Sequence, residues 1–280
     1  MRGWPDCRPA MALGFVLLGA AAAQAADLLP PALPPAPPPP APVEIGGSWY
    51  LRGDFTASDF NRPGDDTLPG TPGAKLENLR LGSSQGGGGG IGYRVNSFLR
   101  ADFTLDARGG TRFHDTSSRT RYVEGFNEEG GKLDVLTGLF NVYADLGTWW
   151  GFTPYVGAGV GFAEKRFHDG WTQTTCLTVT CGDTQPTYVI GPQTRDARAS
   201  RTITTFAWAA MAGLSYDFGN GLSLDASYRY LDIGKARTGF DAYSGNTRLK
   251  DITANEVRVG LRWAFGAKPF GDLMGPPGAY

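Results

Sequence analysis

The sequence contains few of the residues and patterns that define several common protein classes. Of its 280 residues only two are histidine and three are cysteine. Charged residues make up 19% of the chain and the formal net charge is −1. A near-neutral chain is not a strongly basic nucleic-acid-binding protein, so we expect no nucleic-acid partner. No apolar run reaches the roughly 20 residues that a membrane-spanning helix requires.

The first residues are typical of a secretory signal peptide, which we assign to residues 1–26. Arg2 and Arg8 precede an apolar run from Met11 to Ala23, and small residues continue to Ala26. Translation from Met11 would leave a shorter charged region, and the sequence is compatible with either start. The signal predicts an exported protein.

The segment after the signal, residues 27–45, predicts a linker because residues 30–42 are mostly proline. Such a stretch is extended and semi-rigid and has no internal hydrogen bonds. The remaining residues show no further boundary, so we expect one domain at 46–265 and a short proline- and glycine-rich tail at 266–280.

The cysteines divide between the signal and the exported chain. Cys7 leaves with the signal, and Cys176 and Cys181 form an even pair. In an exported protein this spacing predicts a disulfide that closes a short loop. A metal pair is the alternative, but a second ligand pair is missing from the spacing. We therefore predict no metal and no cofactor.

The last strand alternates strictly between apolar and polar residues. Its apolar face carries Val257, Val259, Leu261, Trp263 and Phe265, and its other face carries Glu256, Arg258, Gly260, Arg262 and Ala264. Neighbouring side chains of a strand point to opposite faces. A soluble sandwich would show the same alternation. The signal peptide, further strands of the same type and the aromatic end together favour a transmembrane barrel, apolar toward lipid and polar toward the interior.

The same pattern occurs eight times and predicts the fold class. The strands are expected near 49–57, 85–94, 98–108, 132–146, 152–164, 204–216, 222–231 and 255–265. Short turns (95–97, 147–151 and 217–221) alternate with long loops (58–84, 109–131, 165–201 and 232–250). This predicts an all-β, eight-stranded antiparallel transmembrane β-barrel with short periplasmic turns and four long extracellular loops.

The inward-facing rows carry equal numbers of cations and anions. We expect these lumen charges to be Arg52, Asp54, Arg100, Asp102, Asp106, Arg108, Asp145, Asp225, Arg229, Glu256, Arg258 and Arg262. An eight-stranded barrel is just wide enough for side chains to fill it. Six cations opposite six anions therefore predict a plugged, neutralised lumen. The glycines of the second and fifth strands leave a narrow path open as the alternative.

Aromatic residues at strand ends are typical of the girdle at a membrane interface. The expected interfacial anchors are Trp49, Trp149, Trp150, Trp263 and Phe265.

With these segments identified, the chain resembles the eight-stranded outer-membrane proteins with an OmpA-like barrel. More narrowly, it resembles the alphaproteobacterial surface-antigen or porin-family barrels. The matching segments are 48–54, 98–108, 141–147, 152–159 and 222–231. The resemblance implies the outer membrane of a Gram-negative bacterium, a lipopolysaccharide environment and insertion by the barrel-assembly machinery. In that family the chain usually ends on the signal phenylalanine; here Phe265 holds that place but 15 residues follow it, and the tail is too short for a peptidoglycan-binding domain.

The expected function is non-enzymatic, with a structural and surface role. A small channel is the first alternative. Adhesion or haem binding by the loops is the second, since the 165–201 loop contains Trp171, Tyr188 and Arg195. The oligomeric state is left open.

An enzyme would depend on the two histidines. His114 and His168 lie in different predicted loops, with Asp115, Ser117 and Asp169 beside them. Polar loops contain such residues by default, so we predict no catalytic site.

Overall fold

The computed structural model describes residues 47–65, 75–118, 125–179, 190–240 and 246–265. These residues belong to one unit, Val43–Tyr280. The predicted signal peptide, the linker, the tail, Cys181 and Tyr188 lie outside the described residues. No helix within the described ranges is long and apolar enough to cross a membrane.

The described residues form strands joined by turns. In chain order the strands are β1 (Ser48–Phe60), β2 (Gly64–Asp65), β3 (Lys75–Leu81), β4 (Ser84–Arg94), β5 (Leu99–Ser118), β6 (Gly125–Asp145), β7 (Phe152–Cys176), β8 (Gly191–Pro192), β9 (Asp196–Arg198), β10 (Arg201–Gly219), β11 (Leu222–Asp232), β12 (Ala236–Arg237), β13 (Arg248–Lys250) and β14 (Thr253–Ala264).

Eight long strands close into a barrel. The hydrogen-bonded order is β10, β11, β14, β1, β4, β5, β6 and β7, and β7 pairs with β10 to complete the ring. Every neighbouring pair is antiparallel, and the closing pair runs in register from Arg201 opposite Phe167 to Tyr216 opposite Phe152. Closure leaves no unpaired sheet edge to face lipid. The predicted eight-stranded antiparallel barrel is confirmed.

Alternation of side chains fixes which face of each strand is buried. In β1 every second residue from Tyr50 to Phe60 is buried, while Leu51, Phe55 and their outward neighbours are exposed. A one-residue slip would turn the charged row outward and the apolar row inward. The sequence pattern therefore specifies the register as well as the strands.

Two of the short turns are stabilised by residues with the backbone conformation or the side-chain hydrogen bonds that the turn needs. Residues 220–221 join β10 to β11, and both Asn220 and Gly221 have positive φ, as a tight hairpin requires. Between β4 and β5, the Asn96 side-chain oxygen accepts hydrogen bonds from the backbone amides of Phe98 and Leu99 at 3.0 and 2.7 Å.

Three strands are much longer than the sequence predicted. β5 continues to Ser118, β6 begins at Gly125 and β7 continues to Cys176. Their pairing extends to Ser118 opposite Phe126 and Gly125 opposite Cys176. Most of the predicted 109–131 loop and the first part of the 165–201 loop are therefore strand. We call residues 111–118, 125–133 and 166–176, together with β3, β8 and β9 at their edges, the wall.

The connections from β1 to β4 and from β11 to β14 meet in a small second sheet. β13 pairs with β12 on one side and with β2 on the other. Ile233, Ala236, Leu249 and Ile252, which lie in or beside this sheet, are fully buried. These segments therefore cap the long-loop end of the barrel.

Candidate functional site

The barrel interior carries the densest set of charged side chains in the described structure. The twelve predicted lumen charges come from β1, β5, β6, β11 and β14, and each is at most 8% exposed. Burying a charge without a partner costs several kcal/mol. The pairing of these groups therefore determines whether the barrel interior is filled and neutral.

One ionic cluster surrounds Asp106 and Glu256. The Asp106 carboxylate lies 3.0 Å from the Arg229 guanidinium and 2.7 Å from that of Arg258. Glu256 lies 2.5 Å from both Arg108 and Arg229, and it accepts a hydrogen bond from Ser58 at 2.8 Å. Three arginines and two carboxylates from three strands are thus paired in this cluster, which keeps one positive charge in excess.

A second cluster centres on Arg52. Its guanidinium contacts Asp54 at 2.7 Å and Asp102 at 2.9 Å. The hydroxyls of Tyr50 and Tyr143 donate to Asp102 at 3.1 and 3.2 Å. This cluster has one negative charge in excess, and an ion pair of 3.2 Å between Arg258 and Asp54 joins it to the first, so that the two together are neutral.

The remaining charges form a third cluster. Arg100 lies 3.0 Å from Asp145 and 3.9 Å from Asp225, and Arg262 lies 3.3 Å from Asp225. The Arg100 guanidinium also lies over the rings of Tyr143 and Tyr155, 4.5 and 4.3 Å from their centroids. All twelve predicted charges therefore have an ionic partner. The sequence pattern places Tyr143 on the inward face, but none of the three tyrosines was predicted as part of the site, although the parity of Tyr50 and Tyr155 was equally readable.

Neighbouring groups fill the space beside the inward glycines of β4. A Cβ atom at Gly86 would meet the Arg108 side chain, and one at Gly88 would meet the Asp106 carboxylate. A Cβ atom at Gly92 would meet the Tyr50 ring. The space that these glycines leave is thus filled by the network itself.

An apolar layer lies between the charged network and the long-loop end. Its buried members include Phe60, Leu81, Phe113, Leu133, Val135, Leu139, Phe167, Ala207, Leu231 and Ala254. Phe113 and Phe167 pack edge to face with centroids 5.7 Å apart. This layer was not predicted, although Val135 and Leu133, the inward residues of β6 beyond Thr137, are apolar.

Lys165 fastens the cap to the barrel rim. Its ammonium donates to the Thr205 hydroxyl at 2.5 Å, to the Lys235 carbonyl at 2.6 Å and to the Ile233 carbonyl. Glu164 and Arg166, on either side of Lys165, are charged and face outward, so this level lies beyond the apolar outer surface of the barrel that faces lipid. Burial lowers the pKa of Lys165 to about 8.

A buried polar group ties the wall to the cap. Arg198 of β9 contacts Glu129 of β6 at 2.5 Å and donates to Thr238 at 2.7 Å, and Thr247 donates to Glu129 at 2.5 Å. Asp115 of β5 lies opposite Glu129 and is fully buried. Burial, and secondarily the negative charge of Glu129, hold the pKa of Asp115 well above its usual range.

The predicted interfacial anchors are exposed. Trp49, Trp149, Trp263 and Phe265 are about half exposed and Trp150 is 94% exposed. Trp263 stacks beside Phe265, with ring centroids 4.9 Å apart. Further aromatics missed by the sequence reasoning pair with them or lie nearby: Tyr93 beside Trp49, and the series Phe152, Tyr216 and Phe218.

Of the two histidines, only His168 lies beside the acid predicted for it. His168 lies 3.0 Å from Asp134 and 3.4 Å from Asp169. His114 is exposed on the outer face of β5, whereas Asp115 is buried on the opposite face. The side chain of Ser117 lies outside the described residues.

The predictions for metal binding and for the disulfide concern His, Cys, Asp and Glu side chains. Within the described ranges, no group of three or more histidine, cysteine or acidic side chains is arranged to hold a metal. Cys176 is disulfide-bonded, while its predicted partner Cys181 lies outside the described residues.

A closed eight-stranded barrel with an apolar exterior and a charged interior defines the class of small outer-membrane barrels. The family model described as outer membrane protein beta-barrel domain matches residues 13–265. The chain belongs to this family, and its location is the outer membrane of a Gram-negative bacterium.

The chain is also similar to individual proteins. An uncharacterised protein of Brucella abortus is 30% identical, over 92% of this chain and 98% of its own length. An opacity protein of Neisseria gonorrhoeae is 31% identical over 52% of this chain and 58% of its own. Among solved structures, the outer membrane protein OprG from Pseudomonas aeruginosa is 15% identical, covers 79% of this chain and 97% of its own, and gives a TM-score of 0.48.

Proposed function

We propose that this protein is a non-enzymatic, non-conducting outer-membrane barrel with a structural and surface role. The observation that carries this proposal is the two-layered filling of the interior. Every predicted lumen charge is buried and ion-paired, and an apolar layer lies above them.

Each layer opposes the passage of ions for a different reason. In the charged layer, a permeating ion would have to displace side chains that neutralise one another at 2.5–3.3 Å, and an unpaired buried charge is costly. In the apolar layer a water-filled path is unfavourable, as in channels that close by dewetting. The proposal therefore favours a sealed barrel over the small-channel alternative.

The surface part of the proposal is supported by the wall. Strand pairing continues from the barrel rim to Cys176, with one bulge between Gly130 and Lys132, so the wall is an extended hydrogen-bonded surface for contact. Trp171 on the wall lies against Gly130, and the Arg195 guanidinium covers its ring at 4.0 Å. Lipopolysaccharide around the barrel and the barrel-assembly machinery during insertion are the proposed partners.

The sealed-barrel proposal is tested by solute efflux from vesicles that contain the refolded mature protein. Folding is first checked by heat-modifiable migration in a gel. We expect trapped ions and small sugars to leave no faster than from protein-free vesicles. Efflux that scales with the amount of folded protein would favour the channel alternative.

The surface proposal is tested by shortening the wall at one level of the barrel. Thr111 lies opposite Leu133, and Phe167 lies opposite both Leu133 and Arg201. Replacing residues 112–132 and 168–200 by two-residue Asn-Gly turns therefore removes the wall except for β3 and keeps the ring of strands. We expect vesicles with the intact protein to bind immobilised extracellular-matrix protein and the shortened variant to lose that binding. Equal binding by both, or none by the intact protein, would contradict this role.

A further inference from the structure

Four exposed residues on the outer face of the wall form what we call the basic patch. Its members are Arg80 of β3, Arg112 and His114 of β5, and Lys132 of β6. Arg112 lies directly opposite Lys132, and His114 lies opposite Arg80. Phe113, between the two β5 members, is buried on the other face. The four side chains therefore share one surface.

Arg112 is at the centre of the patch and has no acidic residue directly beside it. Along β5 the residues two positions away are Gly110 and His114. Across the strands its neighbours are Gly82 and Lys132. Within the described part of the chain Arg112 forms no ion pair. An exposed guanidinium without a carboxylate partner can bind the oxygens of an anion in a bidentate manner.

The carboxylates nearest to the patch are paired or lie further from the barrel. Asp169 lies 2.9 Å from the Lys132 ammonium, and Asp134 lies 3.0 Å from a histidine nitrogen. Glu77 and Glu128 lie further along the wall, on the side away from the barrel. The positive charge of the two arginines is therefore not neutralised by a direct contact.

Two glycines leave room for a ligand beside Arg112. A Cβ atom at Gly110 would meet nothing within 4 Å, and one at Gly82 would meet only atoms of Arg112, at 3.6–3.8 Å. Gly110 lies between Arg112 and the barrel, so this open space is on the membrane side of the guanidinium. A group of the size of a phosphate can approach Arg112 from there.

The height of the patch places it beside the lipid headgroups. The outer face of the wall continues the lipid-facing surface, whose last apolar residue on β6 is Leu136. Lys132 is four positions away, roughly 13 Å along the strand and about 10 Å along the membrane normal at a tilt of about 40°. The headgroup layer is about 5–8 Å thick, and long basic side chains bend toward it.

An exterior cavity offers a less suitable place for an anion. It has a volume of about 760 Å³ and lies outside the ends of β1, β4, β11 and β14. The Asp59 carboxylate is part of its described lining. A phosphate there would meet a charge of the same sign, whereas at the basic patch it would meet cations.

We propose that the basic patch binds the phosphate of one lipid headgroup in the adjacent leaflet. Arg112 is the bidentate partner, and Arg80, His114 and Lys132 supply further donors and positive charge. This inference depends on the proposed contact with lipopolysaccharide, and it assigns that contact to a phosphate and to named residues.

The experiment measures which lipid stays bound to the folded mature protein. The protein is placed in phosphatidylcholine nanodiscs with equal small fractions of lipid A and of dephosphorylated lipid A with the same acyl chains. Lipids that remain after mild release are counted by native mass spectrometry. We expect one lipid A per barrel, retained about fivefold more often than the dephosphorylated form, a difference of roughly 1 kcal/mol. Equal retention of the two lipids would overturn the proposal.

Inorganic phosphate distinguishes a lipid headgroup from a free ion. At millimolar concentration it should leave lipid A bound, because the acyl chains keep the headgroup beside the patch. Complete release of lipid A by inorganic phosphate would show that the patch binds a free anion, and the lipid assignment would be wrong.

A matched pair of variants tests the location of the site. We expect Arg112→Gln to lower retention of lipid A about fivefold, to the level of the dephosphorylated lipid. Arg166→Gln is the control, since Arg166 is exposed on the same face and nearer to the barrel but lies opposite Asp134 and next to Glu164 in its outward row. It should retain lipid A as the parent does. Equal losses in both variants would indicate general attraction of anionic lipid and contradict a site at Arg112.

Heat-modifiable migration identifies variants that fail to fold, and these are excluded. Retention of lipid A by a barrel that leaks solutes or does not bind matrix protein would contradict the proposed function alone. A sealed barrel that binds matrix protein, and in which Arg112→Gln retains as much lipid A as the parent, would contradict this inference alone.

Discussion

At the scale of single residues, the interior depends on matched charge. Glu256 forms ion pairs with both Arg108 and Arg229, each at 2.5 Å, and none of the three is exposed to more than a few per cent. Such a network contributes little net stability compared with an apolar core, but removal of one member leaves the others buried without a partner. The stability of the barrel should therefore be most sensitive to single neutralising substitutions at this level.

Glu256→Ala is expected to lower the free energy of unfolding by roughly 3–5 kcal/mol, because it leaves two buried guanidinium groups without their shared carboxylate. Urea unfolding of the refolded protein in lipid vesicles measures this change. Asp169→Ala is the matched control, since the ion pair between Lys132 and Asp169 is half exposed and exposed pairs contribute little. Equal losses in the two variants would contradict the account of the network.

Inward and outward glycines differ in the space that is available for a side chain, and this difference gives a second prediction. Gly88→Ala places a Cβ atom against the Asp106 carboxylate and the Leu105 carbonyl, and overpacking of this kind costs about 1–3 kcal/mol. Gly53→Ala meets nothing within 4 Å and should unfold at the urea concentration of the parent. If both variants unfold alike, the inward glycines are not required by the network.

At the scale of elements, the wall and the cap are linked by buried polar groups rather than by an apolar interface alone. Glu129, Arg198, Thr238 and Thr247 bring together β6, β9 and the segments on either side of the cap sheet. Asp115 completes this group from β5. Its carboxyl is held in the protonated form by burial and by Glu129, so its effect on stability depends on pH.

The sign of that dependence follows from the raised pKa of Asp115. In the unfolded chain an aspartate loses its proton near pH 4, while the folded protein keeps it to higher pH. The folded state then binds more protons, so the free energy of unfolding falls as pH rises from about 4 through the raised pKa. We expect Asp115→Asn to reduce the difference in unfolding free energy between pH 5 and pH 9.

The comparison uses urea unfolding at the two pH values for the parent and the variant. Asp196→Asn on β9, an exposed carboxyl, is the control and should behave as the parent does. An unchanged pH dependence in Asp115→Asn would show that this carboxyl is ionised in the folded protein.

At the scale of the whole molecule, period-two alternation predicted the barrel once it was combined with the signal peptide and the aromatic strand ends. It placed the eight strands, their antiparallel order and the inward parity of all twelve lumen charges, because a strand with one face in lipid cannot tolerate a slip. The long polar segments were harder to interpret. Residues 109–118 and 165–176 are polar in composition, and polarity alone does not distinguish a solvated strand from a loop.

The apolar layer and the cap depend on contacts between distant segments. Leu249 and Ile252 follow β11, whereas Phe113 and Leu133 belong to β5 and β6. Only the closed ring brings them to one end of the barrel. The exterior cavity likewise depends on β1, β4, β11 and β14 meeting at the rim, which no local pattern in the sequence predicts.

The measurement that tests the sealed interior most directly is single-channel conductance of the refolded mature protein in a planar bilayer. Heat-modifiable migration of the same sample shows that the barrel has formed. The two layers inside the barrel predict a folded protein whose current stays at the level of the protein-free membrane. Large, steady openings from folded protein would contradict the filled interior and identify the protein as a porin.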